Sequence, residues 1–308
     1  MNRNAIITTT LLAFMTIGPV ALAQTPPPDV KIEPTELAPG IYLLTGRGGN
    51  IGLTVGEDGA AIIDDQFADM VPKIRAAVAM LSDRPVKFVI NTHLHGDHTG
   101  GNDAFGKAGA VIIAQENVRK RLGSAGVNPS NNQPIPARAR EALPVVTFAD
   151  SATLHFNGDD LEFKHVPNAH TETDIVVRFR KANIVHMGDT FTGGFPFIDS
   201  NNGGSLDGFI KAHEAVLSTI DDQTRLIRGH GPLGNKAELQ AYHDMLVVVR
   251  DRIARLVKAG KSQDDVVAAR PTKEFEEKYG GANFNAAQWI GRAYVDQKAA
   301  LAKKKTRR

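Results

Sequence analysis

Short apolar runs rich in β-branched residues alternate along most of the chain with longer segments in which apolar residues recur at helical spacing. The short runs predict β-strands, and the longer segments predict helices. Strands are expected at residues 41–45, 51–55, 60–63, 86–90, 110–114, 152–156, 161–166, 175–179, 184–187 and 225–227. Helices are expected at residues 70–81, 115–122, 206–220, 236–258, 263–269 and 286–302. This order of elements predicts a mixed α/β protein.

A dense group of polar side chains follows the expected strand at residues 86–90, where residues 92–98 have the sequence THLHGDH. Neutral imidazole and carboxylate are ligands that zinc takes at about 2.0–2.2 Å. Gly96, Gly100 and Gly101 predict a loop rather than a helix after the strand. A loop at a strand end can turn four side chains toward one point. A chance group of histidines on a solvated loop is the alternative interpretation.

Three further candidate ligands each lie just beyond an apolar run. They are His170 in the segment NAHT, Asp189 in MGDT and His230 in GHGP. Strand ends gather loops at one edge of a sheet, so these side chains are expected to meet the THLHGDH segment. Six or seven such ligands are too many for one tetrahedral zinc ion but suit two ions that share a hydroxide. The remaining histidines fall within strand or helix patterns and are expected to have structural roles: His155, His165, His186, His213 and His243.

The order and spacing of these motifs resemble the metallo-β-lactamase superfamily. The resemblance extends over residues 41–232 and includes an earlier aspartate pair at residues 64–65, of which Asp64 is the better match. It implies an α/β fold of the four-layer αββα type, with the dimetal site at one edge of the two packed sheets. Asp64 is expected to accept an N–H from a ligand imidazole or to fix the loop, rather than to bind metal directly.

The same resemblance implies two Zn²⁺ ions, with iron or manganese as other metals that such a site accepts. The implied ligands are His93, His95 and His170 for one ion, Asp97, His98 and His230 for the other, and Asp189 as the bridge between them. Asp97 is also the candidate catalytic residue. The chain has no cysteine, so it lacks the metal-binding Cys of the commonest β-lactamase subclass, and the Lys that follows that Cys and pairs with the drug carboxylate.

The N-terminus has the pattern of a cleavable export signal. A basic start at residues 2–4 precedes an apolar stretch at 5–20, and Ala21-Leu22-Ala23 fits a cleavage site before Gln24. A periplasmic or secreted protein without a stable membrane anchor is therefore expected. The expected organisation is a signal peptide at 1–23, a loose segment at 24–40, a metallo-β-lactamase domain at 41–270, and a helical extension of that domain with a basic tail at 271–308.

Composition adds little to this picture. The net charge of +2 gives no case for nucleic-acid binding. The expected partner is a small-molecule substrate, and the sequence gives no prediction of oligomeric state. Two loops, at residues 123–136 and 193–198, are expected to frame that substrate. Phe195 and Phe197 in the second loop are expected to form an apolar wall or, alternatively, to anchor the loop in the core.

The implied function is a zinc-dependent hydrolase that uses a metal-bound hydroxide to cleave an activated or strained acyl bond. The resemblance and the export signal favour β-lactam ring hydrolysis, and Thr190 and Thr192 preserve hydroxyls found in one β-lactamase subclass. The Gly-Asp-Thr segment is also similar to thioesterases and lactonases, so a glyoxalase II-like thioester or lactone hydrolase is the alternative. A non-catalytic sulfur-relay accessory protein is a further alternative, although the intact ligand set argues against it.

Overall fold

A seven-stranded sheet forms one half of the centre of the molecule. The computed structural model describes residues 30–127, 133–282 and 284–306. The strands of this sheet lie side by side in chain order and are β1 (Glu33–Ala38), β2 (Ile41–Thr45), β3 (Ile51–Gly56), β4 (Gly59–Ile63), β5 (Val86–Ile90), β6 (Val111–Gln115) and β7 (Val146–Phe148). Neighbours from β1 to β4 pair antiparallel, and those from β4 to β7 pair parallel.

A six-stranded sheet forms the other half, again with its strands in chain order. They are β8 (Ser151–Phe156), β9 (Asp159–His165), β10 (Ile175–Phe179), β11 (Ile184–His186), β12 (Arg225–Ile227) and β13 (Gly234–Asn235). All neighbours pair antiparallel except β11 and β12, which are parallel. Parallel pairs require crossover connections, which helices provide. A separate short antiparallel pair joins Gly126–Val127 to Pro134–Ile135.

Helices flank both sheets. They are α1 (Val71–Leu81), α2 (Gly96–Thr99), α3 (Asn102–Lys107), α4 (Glu116–Leu122), α5 (Leu206–Leu217), α6 (Lys236–Lys258), α7 (Gln263–Ala268), α8 (Glu276–Tyr279) and α9 (Ala286–Thr306). Helices α3 and α4 pack against β5 and β6 of the first sheet. Helices α5, α6 and α9 pack together on the second sheet and share its outer hydrophobic cluster.

Strand β10 shows how the sequence builds these layers. Ile175, Val177 and Phe179 are buried in the cluster between the two sheets. Val176, on the opposite face of the strand, joins the cluster formed with the helices. Because successive side chains of a strand point to opposite faces, a continuous apolar run is what a strand covered on both sides requires. The expected αββα sandwich is confirmed.

Two strands of the seven-stranded sheet were not predicted from the sequence. Strand β1 lies within residues 24–40, which were expected to be loose, and β7 lies in a segment assigned no element. In β1 the only buried side chain is that of Leu37. Both strands are at the edges of their sheet, where backbone pairing with a single neighbour suffices and the apolar alternation is weak.

The expectation of a loop after residue 95 was wrong, because α2 and α3 occupy that segment. Gly100 and Gly101 have helical backbone angles. A Cβ on Gly100 would lie 2.6 Å from the carbonyl oxygen of Gln66, and one on Gly101 would lie 2.9 Å from the Asp65 carboxyl. These glycines therefore permit close packing of two backbone segments rather than a break in the helix.

The expected signal peptide at residues 1–23 lies outside the described residues, as does the centre of the expected substrate loop at 128–132. Among the described helices, none has the length and apolar character needed to cross a membrane. Helix α9 of the C-terminal extension packs on α6 and α7, and residues Lys31–Arg308 form one compact unit.

Candidate metal centre

Seven side chains predicted as metal ligands converge at the strand ends along one edge of the two sheets. His93 and His95 follow β5, and Asp97 and His98 lie in α2. His170 follows β9, Asp189 follows β11, and His230 follows β12. Their ligand atoms form three groups, each within 4.8 Å: His93, His95 and His170; His93, His98 and Asp189; and Asp97, His98 and His230. The first and third groups are the two ligand sets that the sequence resemblance implied.

The first group consists of imidazoles only. Nε2 of His170 lies 2.8 Å from Nδ1 of His95, and His93 completes the group. The other ring nitrogens face acceptors: Nε2 of His95 faces the Asp199 carboxylate, and Nδ1 of His170 faces the Phe197 carbonyl oxygen. In the neutral rings, the nitrogens that face each other therefore both carry lone pairs. Two lone pairs at this separation repel each other unless a proton or a metal ion lies between them.

The third group, which is the other implied ligand set, includes a carboxylate. Nε2 of His230 lies 3.2 Å from Oδ2 of Asp97 and 3.3 Å from Nε2 of His98. The ring of His98 is fully buried, whereas the side chain of Asp97 is 28% exposed. Asp97 is thus more open to solvent than Asp189, the other carboxylate of the ligand set.

Asp189 lies between the two groups. Its Oδ1 is 3.2 Å from Nε2 of His98 and 3.4 Å from Nε2 of His230. Its Oδ2 is 3.5 Å from Nε2 of His170. One carboxylate oxygen therefore faces each group, which is the arrangement expected of a bridging ligand.

The outward ring nitrogens of three histidines are held by acceptors. Nδ1–H of His98 donates to Oδ2 of Asp64 (2.7 Å), and Nε2–H of His95 donates to Oδ2 of Asp199 (2.8 Å). Nδ1–H of His170 donates to the carbonyl oxygen of Phe197 (2.7 Å). Each contact fixes the tautomer and leaves the opposite nitrogen as an acceptor toward the site.

Asp64 orients a second histidine through Thr92. The Thr92 hydroxyl donates to Oδ2 of Asp64 (2.7 Å) and lies 3.0 Å from Nδ1 of His93. Because a hydroxyl has one proton, it must accept from Nδ1–H of His93, which leaves Nε2 of that ring for the site. The sequence predicted that Asp64 would either contact an imidazole or fix the loop, and the structure shows both, since its Oδ1 also accepts from the Thr92 backbone N–H (2.7 Å).

The electrostatics of the two groups differ. Burial lowers the pKa of His93 and that of His170, the latter to about 4. Burial also disfavours the charged form of His230, but hydrogen bonds with Asp189 and Asp97 outweigh it and raise its pKa to about 9. Burial would raise the pKa of Asp189, whereas His98 and His230 hold it well below its usual range. The carboxylates thus make a potential that attracts positive charge.

Two buried atoms indicate that a cation fits this site. Nε2 of His93 and Oδ1 of Asp189 are buried and make no hydrogen bond of good geometry within the described part of the chain. A buried acceptor without a partner is costly. Imidazole nitrogens and carboxylate oxygens, at separations that one or two ions can span, are the donor set of zinc and of other first-row metals. The residues present therefore fit a divalent metal centre.

The sequence did not predict the role of Asp199, nor that the Phe197 carbonyl oxygen holds the His170 ring. Asp199 is 104 residues from His95, which it holds, and no local sequence pattern identifies it.

The five histidines that were expected to have structural roles lie outside the three ligand groups found among the described residues. Thr190 was expected to preserve a β-lactamase hydroxyl, but it is buried and donates to the Met187 carbonyl oxygen (2.6 Å), so its role is structural.

The two aromatic residues of the 193–198 loop have different roles. Phe195 stacks on Phe284 with ring centroids 4.5 Å apart, which makes it an anchor. Phe197 is 39% exposed, and its ring lies 6.1 Å from that of His95. Only Phe197 therefore forms an apolar wall beside the site.

A cleft of about 790 Å³ opens beside the seven side chains. We call it the metal-edge cleft. His95, Asp97 and Phe197 line it on the side of the ligand groups. The described parts of the 123–136 loop also line the cleft, which agrees with the expectation that this loop frames a substrate.

The sequence matches the family model of the metallo-beta-lactamase superfamily over residues 44–230, more than half of the chain. The chain belongs to the metallo-beta-lactamase superfamily. This superfamily consists of metal-dependent hydrolases, and the match ends at His230, the last of the seven ligand candidates. No curated protein matches the sequence.

Solved metallo-beta-lactamase structures share the fold. The metallo-beta-lactamase from Pontibacter korlensis covers 70% of this chain and 99% of its own, with 19% identity and a TM-score of 0.56. The DIM-1 metallo-beta-lactamase covers 71% and 98%, with 19% identity and a TM-score of 0.57. The stereoselective inverting sec-alkylsulfatase Pisa1 from Pseudomonas sp. covers 86% of this chain and 50% of its own, with 15% identity and a TM-score of 0.66.

Proposed function

We propose that this member of the superfamily is a dizinc hydrolase that cleaves an activated or strained acyl bond, with the β-lactam ring as its first candidate substrate. The observation that carries the proposal is the pair of ligand groups with one oxygen of Asp189 facing each. His93, His95 and His170 would hold one ion, and Asp97, His98 and His230 the other.

The metal ions, when bound, lower the pKa of a coordinated water molecule and stabilise the negative charge that develops on a carbonyl oxygen. The chain contributes orientation. Asp199 and the Phe197 carbonyl fix the orientation and tautomer of His95 and His170, so that in the neutral rings the lone pairs are directed into the site. Fixed imidazoles need no reorganisation during the reaction, which favours turnover.

We assign proton transfer between the attacking water and the leaving group to Asp97. Its carboxylate is more exposed than that of Asp189, the other acidic group of the ligand set, and it lines the metal-edge cleft. From this position it can orient the attacking water, hold the proton released from that water, and pass it to the leaving group. Phe197 supplies an apolar surface on the same side of the cleft.

The cleft admits several acyl substrates, and the order in which we place them rests on the structural neighbours. A β-lactam, a lactone and a thioester all present a carbonyl carbon that a water-derived nucleophile attacks, and a cleft of about 790 Å³ accommodates each. The β-lactam ring is placed first because two metallo-beta-lactamases match this fold over almost their whole length. Lactone and thioester hydrolysis are the alternatives.

The test is a hydrolysis panel on the metal-loaded protein with a chromogenic cephalosporin, a lactone and a glutathione thioester. We expect turnover of the cephalosporin, its loss on chelation, and its return when zinc is restored. His95→Ala should lose nearly all turnover, whereas His155→Ala, which removes an exposed histidine on β8, should retain it. A fully metal-loaded protein that hydrolyses none of the three would contradict the proposal and favour the accessory role.

A further inference from the structure

Arg138 lines the metal-edge cleft together with His95, Gly96 and Asp97 of the segment that carries the candidate metal ligands. A Cβ built on Gly96 would lie 3.7 Å from Nη2 of Arg138, so the guanidinium is in van der Waals range of the space that a side chain between His95 and Asp97 would occupy. The backbone N–H of Arg138 donates to the carbonyl oxygen of Leu122 (2.8 Å), which fixes the residue at the end of α4.

The charge of Arg138 acts on the buried Asp65 carboxyl, where it opposes the rise in pKa caused by burial, but no close ion pair joins Arg138 to any of the described residues. Its side chain makes no hydrogen bond or ion pair with them, although it is half-buried. The other arginine lining the cleft, Arg121, is paired with Glu172 at 2.7 Å. The acidic lining residues are also engaged, since Asp199 is bonded to His95 and Asp97 to His230. Arg138 is therefore the cation of the cleft that is available to a ligand.

We infer that Arg138 binds a carboxylate group of the substrate while the bond to be cleaved lies over the seven ligand residues. A guanidinium presents a planar fork of N–H donors that matches a carboxylate bidentately. Half-burial in a cleft strengthens such a pair relative to the same pair in open water. This inference deepens the proposed hydrolase function and rests on it.

In this inference, Arg138 takes the place of the lysine that pairs with the drug carboxylate in the commonest β-lactamase subclass. That lysine follows a metal-binding cysteine, and the chain has no cysteine. Arg138 comes instead from the segment after α4 and lines the same cleft as Phe197 and Asp199. The substrate class assigned is thus an acyl compound that carries a carboxylate beside its scissile bond.

The experiment compares paired substrates on the metal-loaded protein. Each pair is an acid and its methyl ester: a cephalosporin with its ester, and a lactone carboxylic acid with its ester. We expect Arg138→Gln to raise KM for the acids by about 10- to 100-fold, the loss typical of one charged hydrogen-bonded contact, with kcat and the ester kinetics little changed. Arg138→Lys should restore part of the loss, and Arg140→Gln, an exposed residue two positions along, should behave as wild type.

A binding measurement separates this inference from the hydrolase proposal. 3-Mercaptopropanoate and 4-mercaptobutanoate, each with its methyl ester, probe the metal-loaded protein without turnover. Tighter binding of the acids by the wild type, lost in Arg138→Gln, would support the anion site even if no substrate were hydrolysed. Equal binding of acid and ester by the wild type, or the same preference in Arg138→Gln, would overturn it. Failure of every thiol to bind would contradict both the metal centre and the anion site.

Discussion

Asp64 combines an unusual backbone conformation with three hydrogen bonds. Its φ of 67° places it in the left-handed region, which costs energy for most residues but is tolerated by Asp and Asn. Its carboxylate accepts from the Thr92 backbone, the Thr92 hydroxyl and the His98 ring. One side chain therefore fixes imidazoles that belong to both ligand groups.

Asp64→Asn tests this role without disturbing the backbone. Asn also tolerates a left-handed φ, but its amide nitrogen cannot accept the hydrogen bonds made by one carboxylate oxygen. We expect metal affinity to fall about 10- to 100-fold with the fold retained, measured by competition with a chromogenic chelator. His95→Ala should lose metal outright, so equal and mild effects of the two substitutions would show that their roles are wrongly assigned.

His213 links the stability of the protein to pH. Burial lowers the pKa of this imidazole to about 4, although the hydrogen bond to the Thr190 carbonyl oxygen opposes the shift. The unfolded chain takes up the proton near pH 6.5 and the folded protein only near pH 4, so stability is lost as pH falls between these values. The expected loss is about 3 kcal/mol.

The measurement is urea denaturation of the wild type and His213→Gln from about pH 7.5 to about pH 4.5, a range that covers most of this titration. Gln does not titrate and can still donate a hydrogen bond to the Thr190 carbonyl. We expect the free energy of unfolding to fall more steeply with acidification in the wild type than in the variant. Parallel pH profiles would show that His213 is charged in the folded protein or does not contribute.

At the scale of elements, the C-terminal helices hold the loop that orients His170. The indole N–H of Trp289, in α9, donates to the carbonyl oxygen of Pro196 (2.7 Å), and the Tyr242 hydroxyl, in α6, donates to that of Gly194 (2.6 Å). Phe197, the next residue after Pro196, accepts the hydrogen bond from His170. A helix beyond the family match at residues 44–230 thus holds the loop whose carbonyl oxygen orients the His170 ring.

Trp289→Phe removes the indole donor and keeps an aromatic ring against Phe195. We expect a loss of about 1 kcal/mol in stability together with a several-fold weaker affinity for metal, measured by chelator competition. Val295→Ala, at an exposed position of the same helix, should change neither quantity. A destabilised Trp289→Phe protein with unaltered metal affinity would mean that α9 supports the fold alone.

The elements also show what a sequence can and cannot predict. Buried strands such as β10 are evident because both faces are covered and the apolar run is continuous. The ligand-bearing segment at residues 92–98 is evident because its residues are adjacent. By contrast, Asp199 reaches His95 only through the tertiary fold, and the edge strand β1 pairs through its backbone without an apolar pattern. The loop predicted at Gly100 and Gly101 was wrong because glycine occurs both where a helix is interrupted and where two backbone segments pack closely.

At the scale of the whole molecule, two sheets and their crossover helices bring together strand ends that are up to 137 residues apart in the chain, from His93 to His230. Parallel pairing of β4 with β5 and of β11 with β12 aligns those ends at one edge. At that edge two buried acceptors of the candidate ligands, Nε2 of His93 and Oδ1 of Asp189, make no hydrogen bond of good geometry with the described residues. The fold therefore supplies the position, and a bound metal would supply the compensating interactions.

We expect this edge of the two sheets to hold two metal ions joined by Asp189. Elemental analysis of the purified, zinc-loaded wild type and Asp189→Asn, with activity assayed on the same samples, tests this expectation. We predict about two ions per chain in the wild type and fewer in the variant, because Asn keeps the shape but removes the charge shared by both ligand groups. One tightly bound ion per chain with full activity, or two ions retained by Asp189→Asn with unchanged activity, would contradict the account.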